Sequence, residues 1–250
     1  MVKITNEYEL NLLGIEGLYK QIISQHRFWY EHVKKNALKN DGDIFEFGVY
    51  KGKSLITVAL ILKAMNSKKK IYGFDSFSGF PSSSKFDDLK EFKNDKYFSK
   101  KFQNDFKKFH KLKKTFTNHK SLNQNNISTS ADFSDTSYEM VMEKIRYFKL
   151  NNINLIQGDF KKTVPAFFGN RKIKISSCNI DCDLHDGYKI TLPYVYQHLS
   201  KKGYIHLDEY YSFKFPGARI ATDNFCKNIK IKPRKNLVRK GEFLRYYLTK

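Results

Sequence analysis

The chain has 250 residues, of which 40% are hydrophobic and 28% are charged. These values are typical of a globular protein with a sizeable core and exclude a disordered chain, and the length suits one α/β domain over residues 1–250. The net charge of +21 raises nucleic acid as a partner, but the lysines are spread along the chain and densest over residues 85–120, so nucleic acid is not the expected substrate.

The sequence pattern of residues 1–75 predicts helices followed by a strand–helix–strand unit. Over residues 1–42, apolar side chains recur at near-helical spacing, which favours helices. The period then changes: residues 43–49 predict a buried strand, residues 53–65 an apolar helix, and residues 70–74 a second strand that ends at Asp75. The order strand, helix, strand over residues 43–75 predicts a βαβ unit, so the sheet is expected to be at least partly parallel.

Residues 76–134 interrupt the pattern with prolines, serines, lysines and asparagines. We predict an insertion here with one or two helices. Two interpretations stay open: a mobile lid over a site, or a surface excursion without a role.

Regular alternation of helices and strands resumes over residues 135–250, which complete the predicted domain. The predicted elements are a helix over 135–148 with Ser134 as its N-cap, a strand over 153–157, a helix over 163–168, a strand over 173–180, a helix over 187–199, a strand over 204–207, a helix from Pro216, and an antiparallel hairpin of 229–231 with 243–248.

Membrane and secretory signals are missing from the sequence. No apolar run reaches the roughly 18 residues of a membrane span, and the N-terminus lacks the basic-then-apolar pattern of a secretory signal. Cys178, Cys182 and Cys226 lack metal-site spacing and are expected to be reduced and buried. The expected location is the cytoplasm.

The first constellation follows the first predicted strand. Glu46 lies at its end, and Gly48 and Gly52 follow where the chain turns into a helix that includes Ser54. Glycines there permit a tight turn and close backbone approach to a ligand, and the carboxyl ends of parallel strands are where open α/β sheets bind cofactors. The spacing is neither a Walker loop nor a dinucleotide fingerprint, and a purely structural turn remains the alternative.

Two further strand ends predict an adenosine pocket. Asp75 ends the second strand and is placed to accept hydrogen bonds from both hydroxyls of a ribose. Asp159, between Gly158 and Phe160, is predicted to accept from an adenine amino group. Phe160 or Phe77 is predicted to pack on the adenine ring.

Carboxylates at two neighbouring strand ends predict a metal site. Asp181 ends one strand, and Asp208 and Glu209 end the next. Adjacent strands lie about 4.8 Å apart, so these three side chains can share one hard cation such as Mg²⁺. Asp183 is a substitute ligand, and solvated loop acids without a metal are the alternative.

In order and spacing these motifs resemble the TylF/MycF family of sugar O-methyltransferases. The resemblance rests on residues 45–54, 73–81, 158–165, 180–184 and 207–210 and runs from about residue 43 to 225. It implies a Rossmann-like class I methyltransferase sheet. With the elements predicted above, the expected fold is a mostly parallel seven-stranded sheet with a closing antiparallel hairpin, a helical N-terminus and an inserted lid-like segment. The resemblance also implies S-adenosylmethionine as methyl donor, Mg²⁺ near the acceptor, a sugar or glycoside hydroxyl as acceptor, and a homo-oligomer. The expected cofactor-binding residues are Glu46, Phe47, Gly48, Tyr50, Gly52, Ser54, Asp75, Ser76, Phe77, Gly158, Asp159, Phe160 and Asp181.

The chain departs from the family at two site positions. Asp208-Glu209 stands where members commonly carry two aspartates, and His185 stands where they carry a tyrosine. Asp181 is predicted as metal ligand and as the base that accepts the hydroxyl proton. His185 and His206 are weaker base candidates, each with a structural role as the alternative. Arg219 is an acceptor-contact candidate with a surface position as the alternative.

Two rival functions remain at the level of sequence. The first is methylation of RNA or another anionic acceptor, which the net charge suggests, although no stacking motif of a single-strand binder is present. The second is a non-catalytic binding protein on the same fold. The presence of Glu46, Asp75, Asp159, Asp181 and Asp208 argues against decay to such a protein.

Overall fold

The computed structural model of the protein describes residues 26–117, 119–169, 171–238 and 244–250. Five adjacent parallel strands make up most of its seven-stranded sheet. The helices predicted before residue 26 lie outside these ranges. Along the described chain the strands are β1 (Asp43–Phe47), β2 (Ile71–Asp75), β3 (Ile153–Gln157), β4 (Ile175–Ile180), β5 (Leu199–Leu207), β6 (Arg234–Lys235) and β7 (Tyr246–Thr249).

The sheet has the order β3-β2-β1-β4-β5-β7-β6. Strands β1 to β5 pair in parallel, and β7 pairs antiparallel with both β5 and β6. The order reverses at β1, which lies between β2 and β4, so the carboxyl ends of these strands border the crevice where open α/β sheets bind ligands. The expected fold class is confirmed, including the closing antiparallel hairpin.

Seven helices accompany the sheet in the described residues. Helix α2 is apolar on all sides, with every residue from Ser54 to Leu62 buried, because it is enclosed between the sheet and neighbouring helices. None of the helices described here has the length and hydropathy that a membrane-spanning segment requires. They are α1 (Arg27–Asn36), α2 (Lys53–Ala64), α3 (Lys100–Thr117), α4 (Tyr138–Tyr147), α5 (Phe160–Phe168), α6 (His185–His198) and α7 (Pro216–Asn228).

Each face of the sheet carries its own hydrophobic core. On one face Trp29 of α1 and Val141 of α4 pack with α2. On the other face Phe45 and Phe47 of β1 pack with Phe168 of α5 and the buried side of α6. Because β1 is covered on both faces, its end is held firmly under the glycine-containing loop that follows it.

The insertion forms a packed layer of its own. Phe92, Phe98, Phe102 and Phe106 make a cluster that contacts Ile220 of α7. The segment contains α3 and two short 3-10 turns, Lys85–Asp87 and Leu89–Lys93. The predicted one or two helices are therefore present, and the aromatic side chains attach them to the body of the protein.

Several predicted boundaries are corrected by the structure. Ser137, not Ser134, caps α4, and its hydroxyl accepts from the Met140 backbone N–H. Helix α5 begins at Phe160 because Asp159 caps it, and β5 begins at Leu199, five residues before the predicted start. The closing hairpin uses residues 234–235 and 246–249 in place of 229–231 and 243–248, and residue 243 lies outside the described ranges.

Candidate functional site

A cavity of about 910 Å³ opens at the carboxyl edge of the parallel strands. Both ends of the insertion contribute to its wall, through residues 78–82 and residues 128–130 with Phe133. Ten of the sixteen predicted site residues line it, namely Gly48, Tyr50, Ser54, Asp75, Ser76, Gly158, Asp159, Phe160, Asp181 and Glu209. The structure places the other six outside the lining: Glu46, Phe47, Gly52, Phe77, His185 and Asp208.

The loop after β1 needs glycine for two reasons. Gly48 has φ +93°, and a Cβ on it would lie 1.9 Å from the backbone oxygen of Asp181. Gly52 has φ +80° as the residue before α2. Any larger residue at position 48 would have to push β1 away from the chain after β4, so the loop keeps its shape only with glycine there.

Asp75 organises this loop from the neighbouring strand. Its carboxylate accepts backbone N–H bonds from Val49 at 2.7 Å, Tyr50 at 2.8 Å and Phe77 at 2.7 Å. The Ser76 hydroxyl also lies 3.5 Å from this carboxylate, and Asp75 lines the cavity. The predicted contact with a ribose is compatible with this arrangement, and the support of the glycine loop is an additional role.

Two of the three residues predicted to contact adenine line the cavity, and the third does not. Asp159 caps α5 by accepting from the Lys161 N–H at 2.9 Å, and Phe160 lines the cavity. Phe77 is 5% exposed and packs edge-on against Tyr138 in the core. Of the two aromatic residues predicted to pack on adenine, Phe160 is therefore the one that reaches the cavity.

Glu46 is fully buried and has a supporting position. One carboxylate oxygen, Oε1, accepts from the Ser54 hydroxyl at 2.6 Å and from the Asn179 amide at 2.8 Å. These bonds connect β1 to α2 and β4 below the cavity. Burial raises the pKa of Glu46 to about 8, while His26 and the two hydrogen bonds oppose that rise.

Replacement of Glu46 by glutamine should flatten the pH dependence of stability. The folded-state pKa of about 8 lies above the ordinary 4.5, so between these pH values the folded protein binds more protons than the unfolded chain. Stability therefore falls as pH rises from about 5 to 8, by at most about 1.4 kcal/mol per pH unit for this group. Urea unfolding of wild type and Glu46→Gln across that interval measures the slopes, and equal slopes would contradict the assignment.

Four acidic residues collect at the cavity, of which Asp183, Asp208 and Glu209 are buried and Asp181 is half-buried. Asp181, Asp183 and Glu209 each place a carboxylate oxygen within 4.8 Å of the others; we call these three the acidic triad. Asp208 falls instead into a second group, with His26 and Asp181. The three metal ligands predicted from sequence are thus distributed over both groups, and Asp183, predicted as a substitute, completes the triad.

Burial and repulsion among the carboxylates raise pKa values within the triad. Burial and the nearby Asp208 raise the pKa of Asp181 to about 6, although its hydrogen bond from His26 opposes the rise. Burial and Glu209 also raise the pKa of Asp183. Buried carboxylates that share a small volume hold protons more tightly because their charges repel.

The negative charge of Asp208 is stabilised instead by neighbouring basic side chains. Burial opposes ionisation, but Arg245, His206 and His26 hold its pKa below the ordinary value. The Arg245 Nε lies 3.9 Å from Asp208 Oδ1, and the His206 Nε2 lies 3.7 Å from the same oxygen. His206 is fully buried in this pair, which favours its structural alternative over a role as base.

Sequence reasoning missed His26 and Lys214, two basic residues that line the cavity and pair with predicted metal ligands. The His26 Nε2 lies 2.9 Å from Asp181 Oδ2, and the Lys214 Nζ lies 2.9 Å from Glu209 Oε1. His26 precedes α1, about 150 residues from its partner, and Lys214 lies in an irregular loop before α7. Neither has a spacing signal, since the two contacts exist only after the sheet has formed.

The remaining predicted residues lie beside the cavity rather than in its wall. His185 is the first residue of α6; its Nδ1 lies 2.9 Å from Asp186 Oδ1 and its ring packs on Phe86. Arg219 lies over the Phe98 and Phe102 rings and pairs with Asp223. Both residues therefore have structural partners where they were predicted to act as base or acceptor contact.

The acidic triad fits a hard divalent cation. Its ligand atoms are carboxylate oxygens, which Mg²⁺ prefers. Glu209 is 2% exposed, and its Oε2 is buried without a hydrogen-bond partner among the described residues. A buried, unpartnered carboxylate oxygen is costly, and a metal ion would satisfy it.

A protein-family model and solved structures match the chain. The macrocin O-methyltransferase (TylF) model matches residues 20–120 and 105–245. The structure of the O-methyltransferase NovP is 20% identical, with a TM-score of 0.62, and the match covers 91% of this chain and 78% of that one. CalS11, a calicheamicin methyltransferase, is 19% identical, with a TM-score of 0.64 and coverages of 98% and 80%. The O-methyltransferase from Bacillus cereus in complex with S-adenosylhomocysteine (SAH) is 11% identical, with a TM-score of 0.53 and coverages of 100% and 94%. Among curated proteins none matches the chain.

Proposed function

The chain belongs to the TylF family and is an S-adenosylmethionine-dependent O-methyltransferase; from this premise we propose that it methylates a sugar or glycoside hydroxyl with the help of Mg²⁺. The acidic triad beside the cavity carries the proposal, because it offers carboxylate oxygens next to the donor pocket. The sugar acceptor is supported by the family and by CalS11, one structure of which is described as a TDP-rhamnose 3'-O-methyltransferase.

The donor is proposed to lie along β1, β2 and β3. Asp75 would accept from the ribose hydroxyls, Asp159 and Phe160 would face the adenine, and the turn at Gly48 would let the backbone approach the methionine part. All four line the same cavity as the triad. A cavity of about 910 Å³ is large enough for a donor and a small acceptor together.

Asp181, Asp183 and Glu209 would hold the metal. When bound, Mg²⁺ would orient neighbouring acceptor hydroxyls and lower the pKa of the one to be methylated. The acceptor oxygen attacks the sulfonium methyl, the carbon–sulfur bond breaks to give SAH, and the hydroxyl proton passes to a carboxylate. Asp181 is the proposed base, since its carboxylate lines the cavity at the end of β4, next to the other two proposed ligands.

Transfer of radiolabelled methyl from S-adenosylmethionine to a panel of nucleotide sugars and glycosides tests this function. We expect label in at least one sugar acceptor, with loss of transfer in EDTA and recovery on addition of Mg²⁺. Transfer that is untouched by EDTA would contradict the metal mechanism. Labelling of RNA and of no sugar would favour the rival substrate class.

Two further expectations stay proposals. The family resemblance implies a homo-oligomer, which light scattering of the purified protein measures directly. A cytoplasmic location follows from the sequence pattern alone and is tested by fractionation of the source cells.

A further inference from the structure

A lysine side chain lies against the acidic triad in a position that the metal mechanism does not use. Lys214 precedes α7, lines the cavity, and places its Nζ 2.9 Å from Glu209 Oε1. Its side chain is 31% exposed, and that exposed part borders the cavity. The ammonium satisfies one oxygen of Glu209 and leaves Oε2, the unpartnered one, for another ligand.

The charges around Lys214 hold it in its cationic form. A lysine amine is ordinarily protonated at neutral pH, and the Glu209 carboxylate oxygen 2.9 Å from the Lys214 Nζ favours the charged form further. The triad therefore contains one permanent positive charge that belongs to the protein.

A permanent ammonium next to a divalent-cation site weakens the binding of the metal ion in three ways. It repels the ion, it shares the carboxylate that the ion would use, and it satisfies a buried acid that would otherwise need the ion. Removal of the ammonium would remove all three of these effects. A neutral side chain at position 214 is therefore expected to favour metal binding.

We propose that Lys214 is an intrinsic counter-cation of the acidic triad, which keeps Glu209 paired without metal and weakens the binding of divalent metal. The inference rests on the proposed function only in assigning a metal to the triad. It makes Lys214 a positioning residue, since the ammonium acts through Glu209 and not on the methyl donor.

Mn²⁺ binding followed by electron paramagnetic resonance tests the proposal on the full chain, with Mg²⁺ added as competitor. Lys214→Met keeps the length of the side chain and removes its charge, and we expect it to bind Mn²⁺ at least about ten-fold more tightly than wild type. Lys214→Arg keeps the charge and should bind as wild type does. Lys161→Met is the matched control, because Lys161 also lines the cavity but pairs with Asp186.

Thermal unfolding gives a second readout. Without metal, Lys214→Met should unfold at a lower temperature than wild type, since Glu209 loses its partner in a buried site. Added Mg²⁺ should raise the midpoint of the variant more than that of wild type. This comparison also shows whether the variant folds.

Unchanged or weaker Mn²⁺ binding by folded Lys214→Met would overturn the proposal. So would the lack of Mn²⁺ binding by both proteins, because there would then be no metal affinity for Lys214 to weaken. Titration of the same samples with SAH separates these failures from failure of the methyltransferase assignment.

Discussion

Asp181→Asn should lose methyl transfer while it keeps nearly all of its affinity for SAH. The amide has the shape of the carboxylate but carries no charge and accepts no proton, so the variant loses both the proposed ligand and the proposed base. The expected fall in kcat is at least about 100-fold, the size of a lost general base. Single-turnover transfer and calorimetric titration with SAH measure the two properties separately.

The control for Asp181→Asn is Asp41→Asn. Asp41 is exposed and pairs with Lys174 at the opposite edge of the sheet, so this change removes one carboxylate charge far from the cavity. It should leave transfer unchanged. Wild-type transfer by Asp181→Asn would remove Asp181 from the mechanism, and equal loss of SAH affinity and transfer would assign it to the donor site.

Gly48→Ala should abolish cofactor binding and destabilise the protein. The added Cβ would lie 1.9 Å from the Asp181 backbone oxygen, and the φ of +93° is unfavourable for any residue with a side chain. Backbone must move at the carboxyl ends of β1 and β4 together. We expect a loss of about 3 kcal/mol or more in unfolding free energy, measured by urea unfolding.

Gly169→Ala is the matched control for Gly48→Ala. Gly169 follows α5 with φ −49°, and its added Cβ would approach no backbone atom closer than 3.1 Å. Its stability should change by less than about 1 kcal/mol. A Gly48→Ala protein that binds SAH as wild type does would show that the loop does not need glycine for close approach.

The parts of the site that the sequence predicted are those encoded by a strand and the few residues after it. Gly48, Asp75 and Asp159 each end or follow a buried strand, and parallel strands bring such positions to one edge of the sheet. Local pattern therefore determines which residues meet. The same logic identified Asp181 and Glu209 as residues of the cavity.

The parts that the sequence did not predict depend on long-range packing. Glu46 ends a strand as predicted, but its side chain turns into the core towards Ser54 and Asn179. His26 and Lys214 reach the acidic residues from a helix terminus and from a loop. No repeat or spacing in the chain marks such contacts.

The insertion shows why composition alone is a weak guide. Its lysines suggested a solvated excursion, but its phenylalanines pack on α7. Asp87 is fully buried and accepts the His185 backbone N–H at 2.8 Å, which ties the insertion to the first turn of α6. The insertion also forms part of the cavity wall. Whether it moves as a lid is still a prediction, which limited proteolysis with and without SAH tests.

Calorimetric titration of the purified chain with SAH, with and without Mg²⁺, tests the central claim most directly. We predict one binding site per chain with micromolar affinity in both conditions, because the donor pocket is formed by the protein's own backbone and carboxylates. No binding in either condition would contradict a methyltransferase and favour a binding protein on the same fold.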